Sequence, residues 1–298
     1  MAPTKTERRL DVVDKQRWSP LALAPLQRCA VDETLHDYVL LPYVPTVPVA
    51  GKLRSVSLLV ESFALAGLEE QGLALLAALE RGLGRGRTVW GIKQRRGELL
   101  GWELYFYDYE RRRADLSVAR VRELLRPSVE LDAVEPRVLP WHMFSVEVTP
   151  SALAERGPAG VQLYIDMRSY ALQGELLELR NLYTFHDPKT GIDEVLHRLQ
   201  SSVHFDARRH RLAELMSPSL RRCHRVCVSN KRHADAMYFS RITTSAAAAF
   251  CRQHGWPAAL TRFVESGELD HLQWDVGVDF SSVDGALTIG KTGIYGSF

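Results

Sequence analysis

The chain has 298 residues, of which 46% are hydrophobic and 25% are charged, proportions typical of a soluble globular protein. Its 38 basic and 36 acidic residues leave a net charge of +2, whereas a dedicated nucleic-acid-binding protein carries a clear basic surplus. No segment reaches the roughly 18 uncharged apolar residues of a membrane span, and four cysteines in this length indicate no disulfide framework. We therefore expect a cytoplasmic protein that neither binds nucleic acid nor inserts into a membrane.

The N-terminal part of the chain divides into a polar segment, a predicted strand and a predicted helix. Residues 1–30 are polar and lack a clear period, which predicts a tail or a loosely packed segment ahead of a single domain over residues 31–298. Partial alternation from Leu53 to Glu61 predicts a first strand. Leucines at helical spacing predict a helix from about Leu65 to Leu83, which Gly84 can end.

A unit of two strands and a helix then occurs twice. In each copy a lysine-bearing strand turns into a second strand that contains a Tyr-Phe pair, and a helix follows. The first copy comprises Thr88 to Arg96, Trp102 to Tyr107 and Leu116 to Leu125, and the second comprises Val226 to Arg232, Ala236 to Arg241 and Ser245 to His254. Recurring units of this kind indicate a repetitive architecture.

The other segments supply more strands and two more helices. Strands are predicted over His142 to Val148, Val161 to Met167, Leu176 to Phe185, Leu269 to Phe280 and Leu287 to Tyr295, and helices over Ile192 to Val203 and Pro257 to Val264. A turn containing Gly174 is expected to join the second and third of these strands. About ten strands in successive hairpins favour closure over an open sheet. The prediction is an α+β fold, an antiparallel barrel of about ten strands surrounded by helices in repeated ββα units.

Strand alternation indicates which side chains share a face. If the helices cover the apolar face, the polar and tyrosine-rich face lines the inside of the barrel. Four cations would then converge in the interior, namely Lys93, Arg180, Lys231 and Lys291. A buried group of cations needs a counter-charge, which a diphosphate would supply. The alternative is that these side chains face solvent on exposed strands.

The last third of the chain resembles a known family. The segment Lys231 to Ser240, the helix after it, Gly255 to Pro257, and the strand Gly267 to Val276 occur in the order found in the soluble aromatic prenyltransferases of the ABBA, or PT-barrel, family. This resemblance implies a ten-stranded barrel whose lumen binds an allylic diphosphate and an aromatic small molecule. The expected reaction is electrophilic transfer of the prenyl group to the aromatic ring.

The mechanism of the family and the strand faces together lead us to expect roles for particular side chains. Of the cations, only Lys231 and His271 fall within the matching segments, and Lys93, Arg180 and Lys291 are placed by strand position. Diphosphate contacts are expected from Lys93, Arg180, Lys231, His271 and Lys291, although His271 stands where the family can have arginine. A shield for the allylic cation is expected from Tyr105, Tyr107, Tyr183, Tyr238 and Tyr295. A base for the ring proton is expected in Glu103 or Asp275, with water as the alternative. No acidic cluster indicates a metal site, so a metal-free and a Mg²⁺-assisted reaction both stay open.

Other functions fit parts of the sequence. A non-catalytic barrel that binds a small molecule or a protein is the main alternative, and another enzyme using His142, His271 or Asp275 as acid or base is the next. Cys223 and Cys227 flank His224 but lack a second ligand pair for zinc. The segment from Gly285 to Thr292 has the spelling of a phosphate-binding loop, yet it is predicted as a strand and no helix can follow it.

Overall fold

The computed structural model describes residues 28–95, 97–98, 100–109, 116–136 and 140–298. Ten of its strands form one closed antiparallel barrel in chain order. These are β3 (Thr88–Arg95), β4 (Gly101–Tyr107), β5 (Met143–Val148), β6 (Gly160–Ile165), β7 (Arg168–Gln173), β8 (Leu176–His186), β9 (Arg225–Lys231), β10 (Asp235–Thr243), β11 (Gln273–Val283) and β12 (Ala286–Ser297). The last strand pairs with the first, from Lys291 opposite Arg95 to Ser297 opposite Val89. The predicted ten-stranded barrel is confirmed.

A short hairpin and eight helices in the described residues complete the fold. The hairpin pairs β1 (Leu35–His36) with β2 (Pro42–Tyr43). The helices are α1 (Val56–Leu65), α2 (Glu69–Leu83), α3 (Val118–Leu125), α4 (Pro150–Glu155), α5 (Ile192–Gln200), α6 (Leu212–Leu215), α7 (Thr244–Gln253) and α8 (Ala258–Val264). None of the helices in these ranges has the length and apolarity that crossing a membrane requires.

The main hydrophobic core lies between the barrel wall and the helices. Trp90, Trp102 and Trp274 are almost completely buried on the outward faces of their strands. Two of them also donate hydrogen bonds to helix residues: the Trp102 indole to Ser62 Oγ at 2.8 Å and the Trp274 indole to Thr244 Oγ1 at 3.0 Å. Because the helices cover this apolar face, the opposite and more polar face of each strand is left to line the interior.

One prediction about an individual element is wrong, and another is confirmed except for where the helix begins. The segment predicted as a first strand, Leu53 to Glu61, lies mostly in α1, because Val56, Leu59, Val60 and Phe63 recur at the spacing of a buried helix face. The predicted helix over Leu65 to Leu83 is in fact the end of α1 and the separate helix α2. The chain turns between them at Gly67, whose φ is 73°.

One of the ten barrel strands, β7, was not predicted from the sequence. β7 lies between the two strands that were expected to be neighbours, and Gly174 joins β7 to β8 instead. The turn from β6 into β7 uses Asp166 with a φ of 51° and Met167, a pair without glycine or proline to mark it. The N-terminal tail predicted over residues 1–30 falls almost wholly outside the described residues, and the division into a tail and one barrel domain stays a prediction.

Candidate active site

The barrel encloses a cavity of about 400 Å³, which we call the lumen. Its wall is built from the inward side chains of β3, β4, β5, β6, β8, β9, β10, β11 and β12. The three lumen lysines gather at one level of the barrel with Glu103 and Asp279, and tyrosines line the middle. At the other end the lining side chains of Leu41, Tyr109, Met167 and Phe185 are about half exposed, so the lumen opens there.

Lys231 and Lys291 share one carboxylate, that of Asp279. The Lys231 Nζ lies 2.8 Å and the Lys291 Nζ 3.2 Å from Asp279 Oδ2. Burial raises the pKa of Asp279, but the two lysines outweigh it and hold that pKa at about 2. Burial lowers the pKa of Lys231 to about 8, partly offset by Asp279. Two cations therefore face the lumen with one anion between them.

Lys93 forms a second ion pair beside this group. Its Nζ lies 2.6 Å from Glu103 Oε2, and Glu103 also accepts hydrogen bonds from the hydroxyls of Tyr105 and Ser145, both at 2.6 Å. Burial opposes both charges, but Glu103 raises the pKa of Lys93 well above its ordinary value. For the same reason the pKa of Glu103 is held below its ordinary value. Both groups are ionised at neutral pH.

Aromatic rings surround the space next to the lysines. The Lys93 Nζ lies 5.1 Å from the ring centroid of Tyr295 and 5.9 Å from that of Tyr105. The Lys231 Nζ lies 5.9 Å from the ring of Tyr238. These distances are within the range in which a ring face attracts a cation. The tyrosine faces are thus already oriented towards positive charge.

Glycines in the neighbouring strands make room for these rings. A Cβ atom on Gly277 would lie 2.5 Å from Cδ1 of Tyr238, and one on Gly91 would lie 2.6 Å from Cδ1 of Tyr295. Real Cβ contacts are never this short, so any larger residue would push the ring out of place. The glycines therefore fix where two of the lumen tyrosines lie.

Asp275 lies in the lumen wall towards the open end. Its Oδ2 accepts a hydrogen bond from the Tyr38 backbone N–H at 3.2 Å. Burial, and then the nearby Asp37 carboxylate, raise the pKa of Asp275 to about 8. Glu103 is ionised at neutral pH and Asp275 is largely protonated, so the two lumen carboxylates differ in what they can do.

No family model matches the chain, and no curated protein matches its sequence. Solved structures do match its fold. The 6-dimethylallyltryptophan synthase from Micromonospora olivasterospora in complex with DMASPP and Trp has a TM-score of 0.52 at 11% identity, covering 80% of this chain and 95% of that chain. A structure of 6-dimethylallyl tryptophan synthase has a TM-score of 0.51 at 11% identity, covering 83% and 97%. The chain has the PT-barrel fold. At this level of identity the likeness extends to the fold, and activity must be argued from the site.

Most of the residues predicted from the sequence line the lumen of this PT barrel. They are Lys93, Lys231, Lys291, Glu103, Asp275, Tyr105, Tyr107, Tyr183, Tyr238 and Tyr295. Their proposed roles in binding and catalysis stay predictions. What the structure shows is that strand alternation placed them on the correct face.

Two predicted residues do not reach the lumen. The Arg180 side chain is 46% exposed and lies 3.1 Å from Glu178, because Arg180 alternates with the inward residues Asn181 and Tyr183 of β8. His271 precedes β11 instead of lying on it, so strand alternation does not apply. It is buried, with Nε2 3.5 Å from Cys29 Sγ. The expected convergence of Arg180 and His271 with the lysines is therefore wrong.

The other candidate sites are not supported by the structure. Gly285 to Thr292 lies in β12 and the turn before it, and Cys223 and Cys227 are buried free thiols whose pKa values burial raises to about 12. Over the described ranges, no three His, Cys, Asp or Glu side chains are grouped to hold a metal ion.

Several lumen residues were not predicted. Asp279 has the same strand parity as Asp275 on β11 and contacts the lumen lysines, and Tyr164 has the same parity as Gln162 on β6, so the rule that selected Lys93 would have selected them as well. Tyr38 could not be found this way, because it lies in the loop between β1 and β2 and enters the lumen from outside the barrel wall.

Proposed function

We propose that this protein transfers an allylic prenyl group from a prenyl diphosphate to an aromatic small molecule by electrophilic substitution inside the lumen. The observation that carries the proposal is the convergence of Lys93, Lys231 and Lys291 beside a wall of tyrosine rings in a closed barrel. The fold is shared with a dimethylallyltryptophan synthase solved with DMASPP and Trp. A prenyl diphosphate and an aromatic amino acid are therefore the first substrates to test.

The diphosphate is assigned to the lysine end of the lumen. Lys93, Lys231 and Lys291 lie there with Glu103 and Asp279 paired to them, and Glu147, opposite Glu103 on the neighbouring strand, also lines the lumen. Three carboxylates thus face three lysines in the free protein, and a diphosphate binds by taking over lysine contacts that a carboxylate makes. Stabilisation of the departing diphosphate by fixed charges in a partly desolvated site contributes several kcal/mol to such reactions. Asp279 is displaced from at least one lysine when the phosphates bind.

The allylic cation is assigned to the space between the tyrosines. Ring faces that lie 5.1–5.9 Å from the lysine ammonium groups attract a carbocation in the same way, by about 0.5–2 kcal/mol for each ring. Tyr105, Tyr238 and Tyr295 are closest to the lysines, and Tyr107, Tyr164 and Tyr183 extend the aromatic wall. The rings also exclude the water that would capture the cation.

Glu103 is the better candidate for the group that accepts the ring proton. It is ionised at neutral pH and lies beside Lys93, next to the diphosphate. Asp275 has a pKa of about 8 and is mostly protonated below that pH, so it is assigned to holding the Tyr38 backbone. A metal-free and a Mg²⁺-assisted reaction both stay open, and the assay below compares turnover with and without EDTA. The cytoplasm remains the proposed location.

Two measurements test the proposal. Dimethylallyl diphosphate should raise the melting temperature, since a ligand of the native state stabilises it by about 2.7 kcal/mol at a hundred times its Kd. Lys231→Met should abolish this shift, and Lys189→Met, which alters an exposed lysine outside the lumen, should preserve it. Incubation with a panel of aromatic compounds that includes tryptophan should give a product one prenyl unit heavier, with and without EDTA. Stabilisation without any product would support the binding protein instead, and absence of both would refute the proposal.

A further inference from the structure

Residues 37–41, which we call the plug loop, connect β1 to β2 and enter the open end of the barrel. Tyr38 and Leu40 of this loop pack against a buried cluster that contains Val89, Met143 and four of the lumen tyrosines. The loop is closed on itself by backbone hydrogen bonds from Asp37 N–H to the Leu41 carbonyl and from Leu40 N–H to the Asp37 carbonyl, both at 3.0 Å. It is therefore an ordered part of the lumen wall.

The plug loop is held by side chains as well. Asp37 Oδ1 accepts hydrogen bonds from the N–H groups of Val39 at 3.1 Å and Leu41 at 2.9 Å. Asp37 Oδ2 lies 2.7 Å from Nε of Arg241. Arg241 lies where the pairing register of β10 with β11 shifts. Its φ of 53° is a backbone conformation that residues other than glycine rarely adopt. A disfavoured backbone conformation is thus maintained where the barrel meets this loop.

Tyr38 completes the tyrosine wall from this loop. Its ring centroid lies 5.0 Å from that of Tyr105, 5.1 Å from that of Tyr295 and 6.3 Å from that of Tyr107, each pair edge to face. The three partners project from barrel strands, whereas Tyr38 comes from the loop. Its ring therefore lies on the side of the tyrosine wall that is remote from the lysines.

The distances along this path limit the length of a prenyl chain. The Lys93 Nζ lies 5.1 Å from the Tyr295 ring, and that ring lies 5.1 Å from Tyr38. With carbon–carbon bonds of about 1.5 Å, each isoprene unit of four bonds extends the chain by about 5 Å. A donor with its phosphates at the lysines places its first isoprene unit beside Tyr295. A second unit reaches the position of the Tyr38 ring.

We propose that Tyr38 determines the donor chain length, because its ring closes the tyrosine wall behind the first isoprene unit. The wild-type lumen then prefers a five-carbon donor over a ten-carbon donor. The proposal rests on the prenyl diphosphate site proposed above. Removing the Tyr38 ring extends the lumen along the prenyl chain and leaves the lysines and every strand pairing of the barrel in place.

The test compares dimethylallyl diphosphate with geranyl diphosphate. For wild type, Tyr38→Ala and Tyr38→Phe, the Kd of each donor is measured by calorimetry without acceptor, and kcat/KM is measured with an acceptor. Tyr170→Ala is the matched control, since Tyr170 is a half-buried tyrosine of β7 that does not line the lumen. Melting curves verify that each variant is folded.

Tyr38→Ala should raise the preference for geranyl over dimethylallyl diphosphate by at least about tenfold, the scale on which a pocket discriminates by chain size. Tyr38→Phe keeps the ring, so its preference should match wild type, as should that of Tyr170→Ala. An unchanged ratio in folded Tyr38→Ala, in both binding and turnover, overturns the proposal. If the ratio of the two donor affinities shifts but no product forms, the role of Tyr38 in donor selection is supported and only the proposed catalysis is refuted. Failure of wild type and Tyr38→Ala to bind either donor refutes both proposals.

Discussion

Replacing Asp279 with asparagine tests whether the lysine pair is an anion site. In the free protein this carboxylate is the counter-ion of Lys231 and Lys291, at 2.8 and 3.2 Å. Asp279→Asn preserves the shape of the side chain and removes its charge. The two ammonium groups are then left close together without an anion between them.

The expected cost follows from the geometry. A pair of unit charges about 3 Å apart attracts by about 5 kcal/mol at an effective dielectric constant of 20, and breaking a buried pair typically costs 3–5 kcal/mol. Because the Asp279 side chain is 14% exposed and the lysines 15% and 20%, water recovers part of this. We expect Asp279→Asn to lower the free energy of unfolding by about 2–4 kcal/mol.

Pyrophosphate should recover part of this loss. In wild type the anion must displace Asp279 from the lysines, whereas in the variant it meets an unopposed pair. We expect pyrophosphate to bind Asp279→Asn about tenfold more tightly, which adds about 1.4 kcal/mol of stabilisation at saturating ligand. The measurement is urea unfolding with and without pyrophosphate at about pH 5.5, because Lys231 has a pKa of about 8 beside Asp279 and loss of that carboxylate lowers the pKa further.

Asp284→Asn is the matched control, because Asp284 is exposed in the turn between β11 and β12. It should change neither stability nor pyrophosphate binding. If Asp279→Asn is as stable as wild type and gains nothing extra from pyrophosphate, the lysine pair does not form the anion site and the reasoning fails.

Three further outcomes follow from the lumen geometry. Gly277→Ala should displace the Tyr238 ring, which costs about 1 kcal/mol of stability and lowers the donor affinity measured by calorimetry about tenfold. Gly290→Ala is the control, because its Cβ meets nothing within 4 Å and it should behave as wild type. Equal behaviour of the two variants contradicts this prediction. Burial raises the pKa of Asp275 to about 8, so the folded state keeps this proton at pH values where the unfolded chain loses it. The free energy of unfolding should therefore fall by at least about 2 kcal/mol as pH rises from about 4 to 8. Asp275→Asn should flatten that slope, and an identical slope in urea titrations contradicts the assignment. Calorimetric pyrophosphate affinity should fall as pH rises through about 8, where Lys231 loses its proton; a flat profile shows that Lys231 does not contact the anion.

The sequence predicted the barrel and most of its lining for a physical reason. Strand alternation is strict, so once the apolar face was assigned to the helices, Lys93, Glu103 and Tyr105 had to point inward. The glycine-free turn at Asp166 and Met167 gave no signal, and β7 was missed. The total of ten strands was still correct, because a segment of α1 had been counted as a strand.

The remaining parts of the site depend on tertiary structure. Tyr38 reaches the lumen only because the plug loop folds over the barrel end, held by Arg241 and Asp275. No periodicity in residues 37–41 indicates this contact. His271 was predicted to lie on a strand, but it lies just before β11 begins. Local patterns thus predicted faces of strands but not the contacts that loops make with them.

The account depends most directly on where a donor analogue binds. A crystal structure with dimethylallyl thiolodiphosphate, which resists transfer, would show this. We predict the two phosphates at the ammonium groups of Lys231 and Lys291, and the five-carbon chain beside the ring of Tyr295, ending before the ring of Tyr38. Phosphates bound outside the barrel, or a lumen that excludes the analogue at saturating concentration, would contradict the account.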